Sequence, residues 1–287
     1  YWGAETLDPK AEDGKRVSMK WVSVENEDYW FEEDEPEHLY YYYGRDGKAL
    51  TSTWASIDGK WYYFNEDGIM ETGPVTIDGY NYYLGEDGSR RSGWVLLEED
   101  TDDPEIVESW YYYDTAGKRV ENEVDRKIQG KYYTFVDGRM QTGWFKLPEE
   151  SQAAEANASA SAESSDAGVS ENADAAAETE NAAPKTSAPA IASYQYYDES
   201  GERAEGWRTI EGVDGISEEG ETYKFYFKKG APHHADSGLA LFTIDSKKYA
   251  FNDRGEMQTG LQQVSVGENE TANFYFGEDG VMKTGKQ

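Results

Sequence analysis

The side chains in this sequence that could do chemistry are aromatic. The chain holds 9 Trp and 23 Tyr among 287 residues. Aromatic faces attract cations, and Trp and Tyr also stack on sugar rings while keeping a polar tip in water. Groups of such rings favour binding of a quaternary ammonium group or a glycan over catalysis.

These aromatics belong to a repeat with a base period of 20 to 21 residues. In the unit from Gly59 to Gly73, the run Lys-Trp-Tyr-Tyr-Phe is followed by Asn-Glu-Asp-Gly and then by Ile-Met-Glu-Thr-Gly. The same order recurs at Gly130–Trp144, Asn252–Gly260 and Asn273–Gly285. Each unit has one glycine after its aromatic run, which we call the turn glycine. The turn glycines are Gly14, Gly47, Gly68, Gly88, Gly117, Gly138, Gly201, Gly230, Gly255 and Gly280.

The order of residues within each unit predicts a β-hairpin. β-prone residues flank a glycine that can adopt positive φ, which is the usual signal of a hairpin turn. We expect a second glycine, such as Gly73 or Gly143, to end each hairpin and lead into the next. A lone hairpin is marginal in water, so the hairpins must stack and bury their aromatic faces. The predicted fold class is all-β, an elongated solenoid or superhelix of about ten stacked hairpins with one long disordered insert.

Insertions between the repeats predict the domain organisation. Two are short and acidic, residues 32–36 and 98–104, and are expected to be exposed loops. The longest, residues 149–193, is rich in Ala, Ser and Glu and has almost no bulky side chain, so we expect a disordered linker. This divides the chain into a repeat block at 1–148 with about six hairpins and a second block at 194–287 with about four.

The net charge of −31 limits the partners. It opposes nucleic acid and anionic membrane surfaces, but it permits a cationic ligand. No apolar run approaches the roughly 20 residues of a membrane span, so membrane insertion is not expected. The sequence begins within the repeat pattern at Tyr1, and we expect a mature protein or a part of a longer one.

Signals for catalysis and metal binding are weak. His233 and His234 lack a third spaced ligand for a metal, and the Asp-Gly runs lack the ligand spacing of a calcium loop. The chain shows no nucleophile motif, phosphate loop or cofactor fingerprint. We therefore predict a protein that is not an enzyme and that has no metal and no cofactor.

The repeated motif resembles a known family. Gly-Trp, then Asp-Gly-Lys-Trp-Tyr-Tyr-Phe, then Asp-Gly-x-Met-x-Thr-Gly is similar to the choline-binding, or cell-wall-binding, repeats of Gram-positive surface proteins. It also looks like the glucan-binding repeats of glucansucrases and the oligosaccharide-binding repeats of clostridial toxins. The resemblance covers nearly the whole chain outside residues 149–193. It implies a superhelix of hairpins that binds its ligands between successive hairpins, at places we call junctions.

The resemblance also implies where a ligand would lie. Two positions matter: the one after the closing glycine, and the one seven residues before the next turn glycine. A third aromatic comes from the following hairpin, and Met or Leu lines the floor. The first cage predicted is Trp54, Trp61 and Tyr82 with Met70 nearby, and the second is Trp94, Trp110 and Tyr132. The other paired junctions are Trp21 with Tyr40, Trp144 with Tyr194, and Trp207 with Tyr223.

The remaining junctions have lost one or both aromatics. Pro74 faces Asn81, and Val124 faces Lys131 or Tyr132. The units from Gly230 onward contain no Trp, so we expect them to be packing or capping units.

Three functions remain open from the sequence. The leading hypothesis is a non-catalytic module on the cell surface that binds choline or another quaternary ammonium group on teichoic acid, or a similar envelope polymer. It could be linked to a catalytic or adhesive domain. The second is a module that binds a cell-wall or host glycan, such as an α-glucan. The third is a structural or adhesive stalk whose acidic loops contact a protein partner.

Overall fold

The computed structural model describes residues 17–30, 36–98, 108–148, 190–267 and 270–284. The described chain forms two compact units. The first comprises residues up to Asn122 together with Val136–Met140, and the second comprises Glu123–Phe135 and Gln141 onward. The predicted acidic loops lie almost wholly outside the described residues, as does most of the predicted linker. No helix in the described ranges is long and apolar enough to cross a membrane.

Both units are built from antiparallel β-hairpins. The strands are β1 (Lys20–Glu25), β2 (His38–Tyr43), β3 (Thr53–Ile57), β4 (Lys60–Phe64), β5 (Gly73–Ile77), β6 (Tyr80–Leu84), β7 (Gly93–Glu98), β8 (Glu108–Tyr113), β9 (Glu123–Ile128), β10 (Lys131–Val136), β11 (Arg139–Met140), β12 (Gly143–Lys146), β13 (Tyr194–Tyr197), β14 (Gly206–Glu211), β15 (Thr222–Lys228), β16 (Ala231–Pro232), β17 (Leu239–Ile244), β18 (Lys247–Asn252), β19 (Gly260–Gly267) and β20 (Glu270–Phe276).

Nine long hairpins occur within the described residues. Their pairs are β1–β2, β3–β4, β5–β6, β7–β8, β9–β10, β12–β13, β14–β15, β17–β18 and β19–β20. The predicted all-β class and the hairpin repeat are confirmed. Two short 3-10 helices, Glu27–Trp30 and Ala190–Ser193, complete the described secondary structure.

The hairpins are shifted along the repeat from their predicted position. In β3–β4 the tight turn is Asp58-Gly59, whose φ values of 50° and 80° are both positive, as a two-residue turn between twisted strands requires. The turn at Gly68 instead folds the chain back so that Met70 forms an isolated bridge with Phe64. The hairpin therefore begins at the glycine that was expected to end one, such as Gly73 in β5.

The residue two places after the turn glycine links successive hairpins, and we call it the bridge residue. In six repeats its backbone N–H donates to a carbonyl in the second strand of the preceding hairpin, at N···O distances of 2.7 to 2.9 Å. The donor and acceptor pairs are Met70 to Tyr40, Arg90 to Trp61, Arg119 to Asn81, Arg203 to Tyr132, Met257 to Lys224 and Met282 to Lys248. These six junctions are thus closed by a main-chain hydrogen bond as well as by side-chain packing.

The core of each unit is aromatic. The second-strand residue that pairs with the bridge residue is fully or almost fully buried in most hairpins. Examples are Phe64, Leu84 and Tyr113 in the first unit and Tyr197, Phe227 and Phe276 in the second. Burial raises the pKa of the Tyr113 phenol to about 12, so this ring is neutral at physiological pH.

The structure places the boundary near residue 149 differently from the sequence prediction. Strands β12 and β13, on either side of the long insert, pair with each other in the register Gly143↔Tyr197 to Lys146↔Tyr194. The insert therefore joins the two strands of one hairpin instead of separating two blocks. Residues 190–193, predicted as linker, form a 3-10 helix whose Ile191 is fully buried. They belong to the second unit. The Ser193 carbonyl accepts a hydrogen bond from the Leu147 N–H at 2.8 Å.

Candidate functional site

Each Trp at a junction packs against at least two other aromatic rings, mostly edge-on or tilted. Trp54 lies 5.3 Å from its cross-strand neighbour Tyr63 and 4.9 Å from Tyr82 of the next hairpin, measured between ring centroids. Edge-to-face pairs at such distances are favourable by about 0.5 to 1.5 kcal/mol beyond their burial. The rings predicted to pair with Trp21, Trp54, Trp94 and Trp144 lie two positions before these cross-strand neighbours on the second strand. Of these rings, Trp61 is 44% exposed.

The predicted cage of Trp54, Trp61 and Tyr82 contains a cation supplied by the chain itself. The guanidinium carbon of Arg90 lies 5.8 Å from the Trp54 ring centroid and 5.6 Å from that of Trp61. Both distances lie within the roughly 6 Å range of cation–π attraction. Tyr82 is brought to Trp54 as predicted.

Met70, predicted near that cage, lies in the preceding junction. It packs with Trp21, Tyr62 and Phe64 in one apolar cluster. Trp21 contacts Tyr62 at 4.9 Å in that cluster. Tyr40, the predicted partner of Trp21, is 43% exposed, and the cross-strand ring that packs on Trp21 is Tyr42. Met70 therefore forms the floor of the Trp21 junction, because a bridge residue contacts the hairpin that precedes its own.

Two of the three rings of the second predicted cage contact each other within the first unit. Trp94 and Trp110 meet edge-to-face with centroids 6.4 Å apart, and Tyr112 packs on Trp94 at 5.1 Å. Tyr132 belongs to the other compact unit, where its ring lies 4.2 Å below the guanidinium of Arg203.

The predicted Trp144 and Tyr194 pair lines an open cavity. The cavity has a volume of about 410 Å³, and Tyr196 and Ile210 also contribute to its walls. The Trp144 indole N–H donates to the Glu211 carbonyl at 2.9 Å, which fixes the plane of the ring. The full lining is Gly143, Trp144, Tyr194, Tyr196, Ile210, Glu211, Gly212, Val213 and Asp214.

The charge of this cavity suits a cation. Its described lining includes the acidic residues Glu211 and Asp214 but no Lys or Arg. Burial, followed by the negative charge of Asp198, raises the pKa of the Tyr196 phenol, so this ring remains neutral. The cavity thus offers aromatic faces next to acidic residues without a competing cation in its lining, which is the chemistry that a quaternary ammonium group requires.

The last predicted pair, Trp207 and Tyr223, is separated between two clusters. Trp207 packs on Tyr249 at 4.7 Å, and the Lys224 ammonium nitrogen lies 4.8 Å from its centroid. Tyr223 packs instead in the cluster that contains Trp144 and Phe225. The reason is the strand register, which places Tyr226 and not Tyr223 opposite Trp207.

A second cavity, of about 290 Å³, surrounds Arg203 and carries charges of both signs. Its lining is Gly130, Lys131, Tyr132, Asp198, Glu202, Arg203, Glu205 and Arg208. The side chain of Arg203 is only 10% exposed, and its guanidinium donates to Asp125 Oδ2 at 2.6 Å. Its Nε has no hydrogen-bond partner among the described residues.

Three arginines were missed by the sequence reasoning, although a signal was present. Arg90, Arg119 and Arg203 each follow a turn glycine by two residues, where other repeats carry Met70, Met257 or Met282. A bridge residue lines a junction, so a change from Met to Arg there changes the charge of the junction.

Metal binding has no structural support in the described ranges. They contain no group of three or more His, Asp or Glu side chains that could hold a metal. His233 stacks on Tyr226 with centroids 5.1 Å apart and planes inclined by 10°, which makes it part of the apolar packing.

Comparison with known proteins finds a family match for part of the repeat region. Residues 50–88 match the profile of the choline-binding repeat, and no curated protein matches the chain. Choline binding protein F of Streptococcus pneumoniae, solved in the presence of a peptidoglycan analogue, is 19% identical with a TM-score of 0.50; the alignment covers 97% of this chain and 85% of that one.

Two further solved structures from Streptococcus pneumoniae are similar. CbpJ is 19% identical with a TM-score of 0.49, covering 88% of this chain and 72% of its own. The modular autolysin LytC, in complex with a synthetic peptidoglycan ligand, is 17% identical with a TM-score of 0.46, covering 85% and 45%. At 19% identity the likeness to choline binding protein F concerns the fold alone. The match at residues 50–88 confirms the resemblance found in the sequence, and this stretch of the chain is similar to the choline-binding repeat.

Proposed function

We propose that this chain is a non-catalytic, extracellular module that attaches a surface protein to the cell wall by binding quaternary ammonium groups, such as the choline of teichoic acid. The observation that carries the proposal is the cavity lined by Trp144 and Tyr194. It combines aromatic walls with two acidic residues, and no Lys or Arg occurs in its described lining. The match to the choline-binding repeat supports the ligand class.

The expected affinity of one site is low. A cation over an aromatic face gains about 0.5 to 2 kcal/mol per well-placed ring. Three rings then correspond to a dissociation constant in the millimolar range. A wall polymer presents many ammonium groups, so several modules or sites acting together would raise the apparent affinity by about 10² to 10⁴.

The test is a choline titration followed by NMR or tryptophan fluorescence. Tyr194→Ala is the informative variant, since Tyr194 lines the cavity. Trp61→Ala is its matched control, because Trp61 stands at the same repeat position but faces the Arg90 guanidinium. We expect choline to bind the unaltered chain at about millimolar concentration, Tyr194→Ala to weaken binding by about tenfold, and Trp61→Ala to leave it unchanged. No response at tens of millimolar, or equal losses in both variants, would contradict the proposal.

A glycan is the second candidate ligand because two Trp rings are exposed. Trp61 and Trp110 are each 44% exposed, and such faces can stack on sugar rings. A glycan array that finds a binder lost in Trp110→Ala but retained in Tyr194→Ala would favour this function over choline binding.

A further inference from the structure

The guanidinium of Arg90 lies in an unusual setting. It lies within 6 Å of the centroids of both Trp54 and Trp61, and its other polar contact is a long one, 3.5 Å from Nη2 to the Thr115 carbonyl. Among the described residues, Arg90 makes no ion pair. The two indole faces are therefore the main partners of this positive charge.

The other arginine bridge residues use carboxylates instead. Arg119 donates to both carboxylate oxygens of Glu121, at 2.9 and 3.0 Å, and Arg203 donates to Asp125 at 2.6 Å. Neither of their junctions has a Trp pair, since the corresponding residues are Pro74 with Asn81 and Val124 with Lys131. Arg90 thus differs from them in lying where the aromatic cage is complete and a carboxylate partner is absent from the described residues.

We propose that Arg90 is a tethered cation that closes the Trp54–Trp61 junction to quaternary ammonium ligands. The ligand class rests on the proposed function, but the filling of this cage by Arg90 does not.

A tethered cation has a concentration advantage over a soluble one. A group linked to its site acts at an effective concentration of millimolar or more, whereas a single cage binds a soluble ammonium ion at about millimolar strength. Arg90 is also held in position because its own backbone N–H donates to the Trp61 carbonyl at 2.8 Å. Soluble choline must therefore displace a competitor that cannot diffuse away.

The experiment uses Arg90→Met, because the chain itself carries Met at the equivalent position 70. The full chain is labelled with 5-fluorotryptophan, and the ¹⁹F resonances of Trp54, Trp61 and Trp144 are assigned by single Trp→Phe variants. Choline chloride is then titrated against each protein, with sodium chloride as the ionic-strength control. Arg119→Met is the matched control, since it removes the same charge from a junction without a Trp pair.

We expect the resonances of Trp54 and Trp61 not to shift at millimolar choline in the unaltered chain or in Arg119→Met. In Arg90→Met they should shift with a midpoint at about millimolar choline, at least about tenfold below the concentration at which the unaltered chain first responds. Arg90→Gln provides a second uncharged variant in case the first is unstable, and Arg90→Lys, which keeps a cation, should remain insensitive.

Two results would overturn the inference. One is a response at Trp54 and Trp61 that is already present at millimolar choline in the unaltered chain, and the other is no gain in either uncharged variant when both are folded. The Trp144 resonance reports separately on the proposed function. A silent Trp144 with a responsive Trp61 in Arg90→Met would reject the Trp144 site but keep this inference.

Discussion

The ion pair between Arg203 and Asp125 gives the sharpest prediction about stability. Their side chains are 10% and 23% exposed, and the N···O distance is 2.6 Å. Removing one partner of a buried pair typically costs about 3 to 5 kcal/mol, because the other charge remains buried without compensation. In Asp125→Asn, Arg203 keeps the Tyr132 face at 4.2 Å and Glu205 at 3.7 Å. We therefore expect a smaller loss of about 2 to 3 kcal/mol.

The reverse change should cost a similar amount. Arg203→Met installs the residue that other repeats carry at this position, but it leaves the Asp125 carboxylate next to the Tyr197 hydroxyl, 3.0 Å away. The double variant removes both charges, and replacing a whole buried pair with uncharged groups is often nearly neutral. We expect it to be about 1 kcal/mol less stable than the unaltered chain, so the coupling energy between the two sites is roughly 3 to 5 kcal/mol.

The measurement is native-state hydrogen exchange, because a repeat chain need not unfold in one step. The amides of Arg203 and Ala204 report directly, since they donate to the carbonyls of Tyr132 and Tyr196 at 2.9 and 2.8 Å. A loss of 2 to 3 kcal/mol accelerates their exchange by roughly 30- to 150-fold. If the double variant exchanged as fast as the sum of the two single effects predicts, the pair would have no coupling and the reasoning would be refuted.

Two further predictions concern the turns and pH. Gly79→Ala should lower the free energy of unfolding by about 1 to 2 kcal/mol, because φ is +78° there, although a Cβ would have open space around it. In urea unfolding Gly88→Ala should cost more, because its Cβ would clash with the Met70 sulfur. Met70→Ala in the same chain should remove this excess. Burial, followed by the positive charges of Lys228 and His234, lowers the pKa of His233, so the unfolded state takes up a proton near pH 6.5 while the folded state resists it. Stability should then fall as the pH drops below about 6.5, and His233→Gln should lose less between pH 7.5 and 5.5; equal losses would contradict this.

The sequence predicts the repeat, but it does not show which of the two Asp-Gly turns in a unit is the turn of the hairpin. Asp58-Gly59 and Asp67-Gly68 are the same dipeptide, and both mark turns. Only the first has positive φ at both residues. The second lies at the end of a four-residue turn, in which the Gly68 N–H donates to the Asn65 carbonyl at 3.1 Å. Dipeptide identity cannot separate these two turns; the lengths of the flanking strands decide.

Part of the candidate sites could be predicted from the positions of residues in the repeat alone. Trp144 and Tyr194 were paired by repeat position across 49 intervening residues, and the structure brings them to one cavity. The presence of the Arg90 guanidinium in the Trp54 junction was not predicted. Arg90 comes from a later repeat, and nothing in the motif alone shows that a bridge residue extends back to the hairpin before its own.

The main-chain hydrogen bonds of the bridge residues bear on how such a chain can evolve. Since the donor and acceptor are backbone groups, this connection between two hairpins does not depend on which non-proline side chain stands at the bridge position. Met70 and Arg90 make the connection equally well, at 2.7 and 2.8 Å. Where the bridge residue has no charged partner on the neighbouring hairpin, a single codon can therefore alter the chemistry of a junction while its main-chain connection is kept.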